Sequence, residues 1–171
     1  MLPDPLHPAI VHFPIVLTFL LPVVALAALW RIRRGAPVRS AWIASAAAAA
    51  ALTASAWLAV QTGESDEDPV ESVVGEAPLE RHEEAAERFL FLSGGVFLLT
   101  AAGLFRGRAG AAARFGATVA AFGLVAAGAL VGHSGGELVY RYGAAEAHVP
   151  SADAAGTRIE VGTADRERSD D

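Results

Sequence analysis

Four long apolar segments, separated by charged turns, dominate the pattern of hydrophobic and polar positions along the chain. The segments are Ile10–Trp30, Ala41–Val60, Phe89–Phe105 and Phe115–Val131. A helix that crosses a bilayer needs roughly 20 apolar residues, with about 17 as the lower limit. All four segments reach that length. The pattern therefore predicts membrane spans at about 9–30, 41–61, 85–105 and 115–133.

A soluble four-helix bundle is the alternative, and it would require a polar stripe along each helix. The first, second and fourth segments offer little beyond Ser, Thr and Gly where such a stripe would lie. Long alanine runs, as in the second segment, favour helix and are poor in strands. The composition agrees, since 53% of the residues are hydrophobic, more than in an average soluble protein. The sequence therefore predicts an all-α fold, a four-helix transmembrane bundle.

Charge is distributed unevenly among the turns, and this predicts the orientation. The turns after the first and third segments carry arginines and no acid, whereas residues 64–87 hold ten acids and only Arg81 as an arginine. Cytoplasmic loops carry the arginine excess. Both arginine turns are therefore predicted inside, and both termini and the acidic stretch on the outer side. We expect a multi-pass protein of the inner (plasma) membrane, in contact with the lipid bilayer. The net charge of −6 gives no indication of nucleic-acid binding.

The acidic stretch between the second and third segments is too polar to bury and is rich in turn residues. These turn residues are Gly63, Pro69, Gly75 and Pro78. We predict a solvated, flexible connector here, with the third helix beginning around Pro78–His82. Residues 1–143 then form the transmembrane domain. Residues 144–171 are polar and acidic without sustained periodicity, which predicts a disordered tail that contains His148.

Histidines cluster at predicted helix ends on the outer side: His7, His12, His82 and His133. Ionisable groups at membrane depth are costly and point to function. His12 lies one turn inside the first helix and is predicted to face inward. His7 points about 140° away from it, and because it precedes Pro8 it is predicted to support the helix start. His133 precedes two glycines, which predicts that the fourth helix ends there.

This placement suggests a cofactor site at the outer face. His12 and His133 are candidate axial ligands of a b-type haem, since bis-imidazole ligation suits electron transfer. Without cysteine, any haem would be held non-covalently. If His82 is a third ligand, a copper or zinc ion held by His12, His82 and His133 is favoured over haem. If His82 is not a ligand, its role would be to orient one. Three arginines are candidate partners of haem propionates: Arg81, Arg88 and Arg141.

Small residues recur along the fourth segment. Gly128, Gly132 and Gly136 are each four positions apart, a spacing that lets another helix approach closely. The pattern serves either packing within the bundle or a homodimer, and the sequence leaves both open.

Three motifs stand out along the chain: HPAIVHFP at the N-terminus, a histidine before the third helix, and GHSGGELVYRYG at the end of the fourth. Together they resemble the bacterial membrane-protein family catalogued as domain of unknown function 2231. The resemblance covers about residues 5–143. It implies a four-helix integral membrane protein, and some relatives are fused to cytochrome-c-like domains, which suggests redox chemistry with a cytochrome or other redox protein as partner.

Two hypotheses for function follow from these residues. The preferred one is a haem or metal protein for electron transfer; the other is a non-catalytic structural or accessory subunit without a cofactor. A transporter is disfavoured because no span carries an acid or base in its core. Hydrolysis is disfavoured because Ser134 next to His133 is not an oriented nucleophile–base arrangement. The chain is therefore expected not to be an enzyme, apart from a role in electron transfer.

Overall fold

The computed structural model describes residues 6–148. Within this range the chain forms helices connected by short turns, without strands. The elements are α1 (His7–Ile10), α2 (His12–Arg33), α3 (Val38–Ser65), α4 (Glu67–Val74), α5 (Glu76–Ala102), α6 (Gly107–Tyr140) and the 3-10 helix η1 (Ala144–His148).

The four long helices α2, α3, α5 and α6 form two antiparallel hairpins. Helix α2 packs against α3 and α5 against α6, while α3 also contacts α5 and α2 contacts α6, so the four helices close into a bundle. Gly35 and Gly107 adopt positive φ angles of 93° and 86° in the two hairpin turns, a conformation that disfavours residues with a Cβ. The end of the bundle with these turns is called the arginine end. The opposite end, with α1, α4 and the start of α5, is called the acidic end.

Side-chain size is arranged as in a membrane bundle. The core consists mainly of Ala and Leu, with Leu21, Leu52 and Leu124 nearly inaccessible, whereas large aromatic residues such as Phe91 and Phe115 lie on the outside. Small residues at helix contacts and an apolar outer surface are typical of helices packed in lipid. All four long helices are long and apolar enough to cross a membrane. The prediction of an all-α, four-helix transmembrane fold is confirmed, while the side on which the termini lie stays a prediction.

The acidic stretch is helical, so the predicted flexible connector is wrong. Helix α4 follows α3 almost directly, and α5 begins at Glu76, before the predicted start around Pro78–His82. Acidic residues favour the first turn of a helix because they complement its dipole. Val74, Leu79 and Leu138 bury one another, which ties α4 and α5 to the end of α6. Burial of these three apolar side chains outweighs the polar character of the stretch.

Helix α6 is longer than predicted at both ends. It begins at Gly107 rather than near residue 115, and it continues past His133 to Tyr140. The glycines after His133 do not end the helix. Gly135 and Gly136 are helical, and the first glycine after them with a positive φ angle is Gly143. The buried contact of Leu138 stabilises this last part of α6.

The segment after α6 turns back onto the acidic end. Residues 144–148, the start of the predicted tail, form η1, which contacts α4 and α6. His148 at its end is exposed. The remainder of the predicted tail, residues 149–171, lies outside the described residues.

Candidate functional site

The histidines at the acidic end differ in the direction they face. His7 and His82 are partly buried between helices, whereas His12 and His133 are exposed. The prediction that His12 faces inward is therefore wrong. His7 takes the inward position, and the wide angle between the two residues around the helix axis leaves His12 on the outside.

His7 connects the N-terminal turn to α3. Its Nδ1 atom lies 2.8 Å from the carbonyl oxygen of Ala59 and 3.4 Å from the hydroxyl of Thr62. A carbonyl oxygen only accepts hydrogen bonds, so Nδ1 carries the proton and Nε2 has the lone pair. The ring rests on Gly63, where a Cβ would lie 3.3 Å from two ring atoms. Glycine at this position therefore makes room for the imidazole.

His82 connects α5 to α6 in the same way. Its Nδ1 atom lies 2.9 Å from the hydroxyl of Ser134, and that hydroxyl donates to the carbonyl of Val131 at 2.9 Å. Because the serine proton is used, Nδ1 of His82 is the donor and Nε2 again has the lone pair. Gly135 lies against the ring, where a Cβ would be 3.1 Å from Cε1.

The two rings form a pair, called here the histidine pair (His7 and His82). Their centroids are 6.5 Å apart and their planes are at 88°. No hydrogen bond of either Nε2 atom meets the usual distance and angle limits among residues 6–148, although the carbonyl of Val131 also interacts with the His82 ring. An Nδ1–H bonded to an oxygen, with Nε2 left free, is the usual arrangement of a metal-binding histidine. Each Nε2 atom therefore has the lone pair that a ligand would need.

The predicted three-histidine ligand set does not assemble. Nowhere in the described part of the chain do three or more His, Cys, Asp or Glu side chains come together as in a metal site. His133 instead lines a shallow surface depression with Gly136 and Tyr140.

The predicted propionate-binding arginines are all exposed at the acidic end. Arg88 pairs with Glu84 at 2.7 Å, and Arg141 pairs with Glu137 at 3.2 Å. Each pair joins residues one turn apart on the same helix. A third arginine, Arg81, donates to the carbonyl of Ala77 and to the hydroxyl of Tyr142.

Electrostatics at the acidic end favour a neutral His82. His82 precedes by two turns the apolar part of α5 that begins at Phe89. Burial lowers the pKa of His82 from its usual value of 6.5, and the neighbouring His7 lowers it further, while the Val131 carbonyl partly opposes both. Glu83 lies on the same turn as His82. Burial is the largest cause that raises the pKa of Glu83, and the carboxylate of Glu67 is the next. A neutral His82 keeps its Nε2 lone pair available near pH 7.

We expect stability to fall as the pH is lowered below about 6.5. A lowered pKa means that the unfolded chain binds the proton more tightly than the folded one, so the contribution of His82 is complete above 6.5 and is lost as the pH falls through its folded pKa. The measurement is the unfolding midpoint in mixed micelles at pH 8 and pH 5. The His82→Gln side chain can still donate to Ser134 but does not titrate between pH 5 and pH 8. The unfolding midpoint of this variant should therefore fall less between the two pH values. Because Glu83 titrates in both proteins, an equal drop would contradict the assignment to His82.

Sequence reasoning missed two members of this site, His7 and Ser134. Ser134 is next to His133 in the sequence, but its hydroxyl contacts His82 instead. The glycines at 63 and 135 are the signal that could have identified them, since each lies one position from a polar residue that touches a histidine. A small residue beside a polar one on a membrane helix is typical of a close polar contact between helices.

Comparison with known proteins gives one match. The family model described as "Predicted membrane protein (DUF2231)" matches residues 3–148. No curated protein and no solved structure matches the chain. The matched range includes all the described helices and the histidine pair. With four helices able to span a bilayer and a match over most of its length, the chain belongs to the DUF2231 family of membrane proteins.

Proposed function

We propose that this membrane protein binds one transition-metal ion between the Nε2 atoms of His7 and His82, and that copper is the ion that fits best. The observation that carries the proposal is that both Nδ1 atoms are held by oxygens of a neighbouring helix, while the two rings lie next to each other with centroids 6.5 Å apart and planes at 88°. Such oxygen partners fix the tautomer and the ring orientation of metal-binding histidines.

The separation of the rings supports one ion with a wide angle between its ligands. With a metal–nitrogen bond of about 2.1 Å, an ion lies roughly 3 Å from the centroid of each imidazole that binds it. Two rings that share one ion therefore have centroids at most about 6 Å apart. At the observed 6.5 Å, the two rings would have to move slightly closer together when the ion binds. Imidazole suits both copper and zinc. Two ligands at a wide angle favour Cu(I), whereas zinc prefers four ligands in a tetrahedron.

Haem b does not fit the described residues as the sequence suggested. Its two axial ligands must face each other across a cavity, and His12 and His133 are both exposed. Electron transfer is therefore proposed for the copper ion, which would accept one electron from a cytochrome or other redox protein and pass it on. The arginine distribution supports placement in the inner membrane, with the acidic end outside.

The test is copper binding by the detergent-purified full chain, measured as competition for Cu(I) against a chromophoric chelator. We expect one ion per chain. His7→Ala and His82→Ala should each abolish this binding, while His12→Ala and His133→Ala are matched controls that should retain it. Ser134→Ala removes the oxygen that orients His82 and should weaken binding by about 10- to 100-fold.

Three results would contradict this proposal. Loss of copper in the His12 and His133 variants would favour the ligand set expected from the sequence. Tetrahedral zinc binding in place of copper would reject the choice of metal. Absence of any binding, with a lowered unfolding midpoint in the His7 and His82 variants, would favour the structural or accessory subunit. The hydrogen bonds of the histidine pair to neighbouring helices also suit that second function.

A further inference from the structure

The two hairpin turns at the arginine end lie side by side. Ile32 at the end of α2 and Leu104 after α5 pack on the same buried cluster as Trp42 of α3. The indole N–H of Trp42 donates to the carbonyl of Thr100 at 2.8 Å, which joins the first hairpin to the second. The arginines of both turns therefore belong to one surface.

That surface carries positive charge without acidic partners in the part of the chain that the structure describes. Its six arginines are exposed: Arg31, Arg33, Arg34, Arg39, Arg106 and Arg108. The sequence has no Asp or Glu from residue 5 to 63 or from 88 to 136. Both ion pairs found within residues 6–148 lie at the acidic end. The six guanidinium groups are therefore available for an external anion.

Aromatic residues indicate the depth of this surface in the bilayer. Trp30 is 58% exposed and Phe105 is 66% exposed, one beside each turn. The guanidinium carbon of Arg34 lies 5.2 Å from the centre of the Trp30 ring, a cation–π contact. Tryptophan is enriched where the hydrocarbon meets the lipid headgroups. The contact holds the charge of Arg34 at headgroup depth.

We propose that the arginine end binds the phosphate headgroups of anionic phospholipids, chiefly through Arg31, Arg33 and Arg34. Guanidinium groups bind phosphate oxygens through two parallel hydrogen bonds, and an acyl chain would lie along the exposed apolar face of α2 beside Trp30. The combination of unpaired arginines with an interfacial tryptophan favours a lipid over a free phosphate ion. This surface is at the opposite end of the bundle from the histidine pair, so its test is independent of the metal proposal.

The experiment is native mass spectrometry of the detergent-purified full chain after incubation with equal amounts of phosphatidylglycerol and phosphatidylcholine. We expect the wild type to retain phosphatidylglycerol preferentially. The triple variant Arg31→Gln, Arg33→Gln, Arg34→Gln should reduce that preference by about tenfold or more, given the contribution of each arginine near an anionic surface. The matched control replaces Arg81, Arg88 and Arg141 by Gln; it removes the same charge from the acidic end and should retain the preference.

Two further measurements distinguish binding of a lipid from binding of a free anion and test whether the binding depends on charge. Inorganic phosphate at the concentration of the lipid should not displace phosphatidylglycerol, and displacement would reject the lipid in favour of a free anion. Added salt should weaken the preference of the wild type, which tests the charge dependence even if the triple variant fails to fold. Equal retention of the two lipids by the wild type, or an equal loss in the control, would overturn the proposal.

Discussion

Replacing Arg114 by methionine should lower the free energy of unfolding by about 2–5 kcal/mol, because the change leaves a buried and a partly buried carbonyl group without this donor. Arg114 is only 6% exposed although it lies near the start of α6. Its Nη1 atom donates to the carbonyl oxygens of Gly103 at 2.6 Å and Phe105 at 3.1 Å. These carbonyls follow the last turn of α5, where a helix has no donors of its own. The negative end of the helix dipole also stabilises the guanidinium charge.

The control for this prediction is Arg108→Met, an exposed arginine in the first turn of the same helix. It should change stability by less than about 0.5 kcal/mol. Arg114→Lys should fall between the two, because lysine keeps the positive charge but its shorter side chain does not place a donor where Nη1 of the arginine lies. Unfolding by SDS in mixed micelles measures all three variants. A methionine variant as stable as the wild type would mean that water satisfies these carbonyls.

The four long helices were predictable because their signal is spread over many residues. Each apolar segment is long enough to span a bilayer, and no single substitution would remove the pattern. Arg114 shows the limit of this reasoning. The sequence placed it in a charged turn with Arg106 and Arg108, but α6 starts at Gly107 and directs its side chain back toward the end of α5. Charge patterns predict which turn is basic, but they do not show which arginine is buried.

The ends of the helices at the acidic end were not predictable from local residue preferences. Glycine and acidic residues favour turns, yet Gly135 and Gly136 are helical, and so is most of the acidic stretch. The apolar contacts among Val74, Leu79 and Leu138 join segments far apart in the sequence. Tertiary contacts of this kind outweigh the weak local preference of a glycine pair.

The histidines named from the sequence lie at one end of the bundle, but the two whose rings come together are His7 and His82 rather than His12 and His133. A choice between His7 and His12 depends on the rotation of one short helix, which the break between α1 and α2 at Val11 alters. The choice between His82 and His133 depends on whether α6 continues past residue 133. Both questions are decided by packing at the acidic end, where the sequence has no long periodic pattern.

Gly128→Leu should destabilise the bundle by about 1–3 kcal/mol, whereas Gly132→Leu should leave stability unchanged or slightly increased. A Cβ at Gly128 would lie 3.3 Å from Cγ2 of Thr18 and 3.4 Å from Cε2 of Phe89, both buried side chains. The further carbons of leucine would push α6 away from α2 and α5. A Cβ at Gly132 would have no atom within 4 Å, and leucine is a better helix former than glycine.

Comparison of these two variants decides between the two roles of the glycine spacing that the sequence left open, packing within the bundle and a homodimer. Gly128 serves packing within the bundle, while Gly132 and Gly136 leave free space on the outside of α6. If two copies associate through this outer face, Gly132→Leu should dissociate the dimer without lowering the unfolding midpoint of the monomer. Analytical ultracentrifugation in detergent measures the first property and SDS titration the second. A stable Gly128→Leu variant would contradict the close contact of α6 with α2, and an unchanged dimer in Gly132→Leu would exclude this face as its interface.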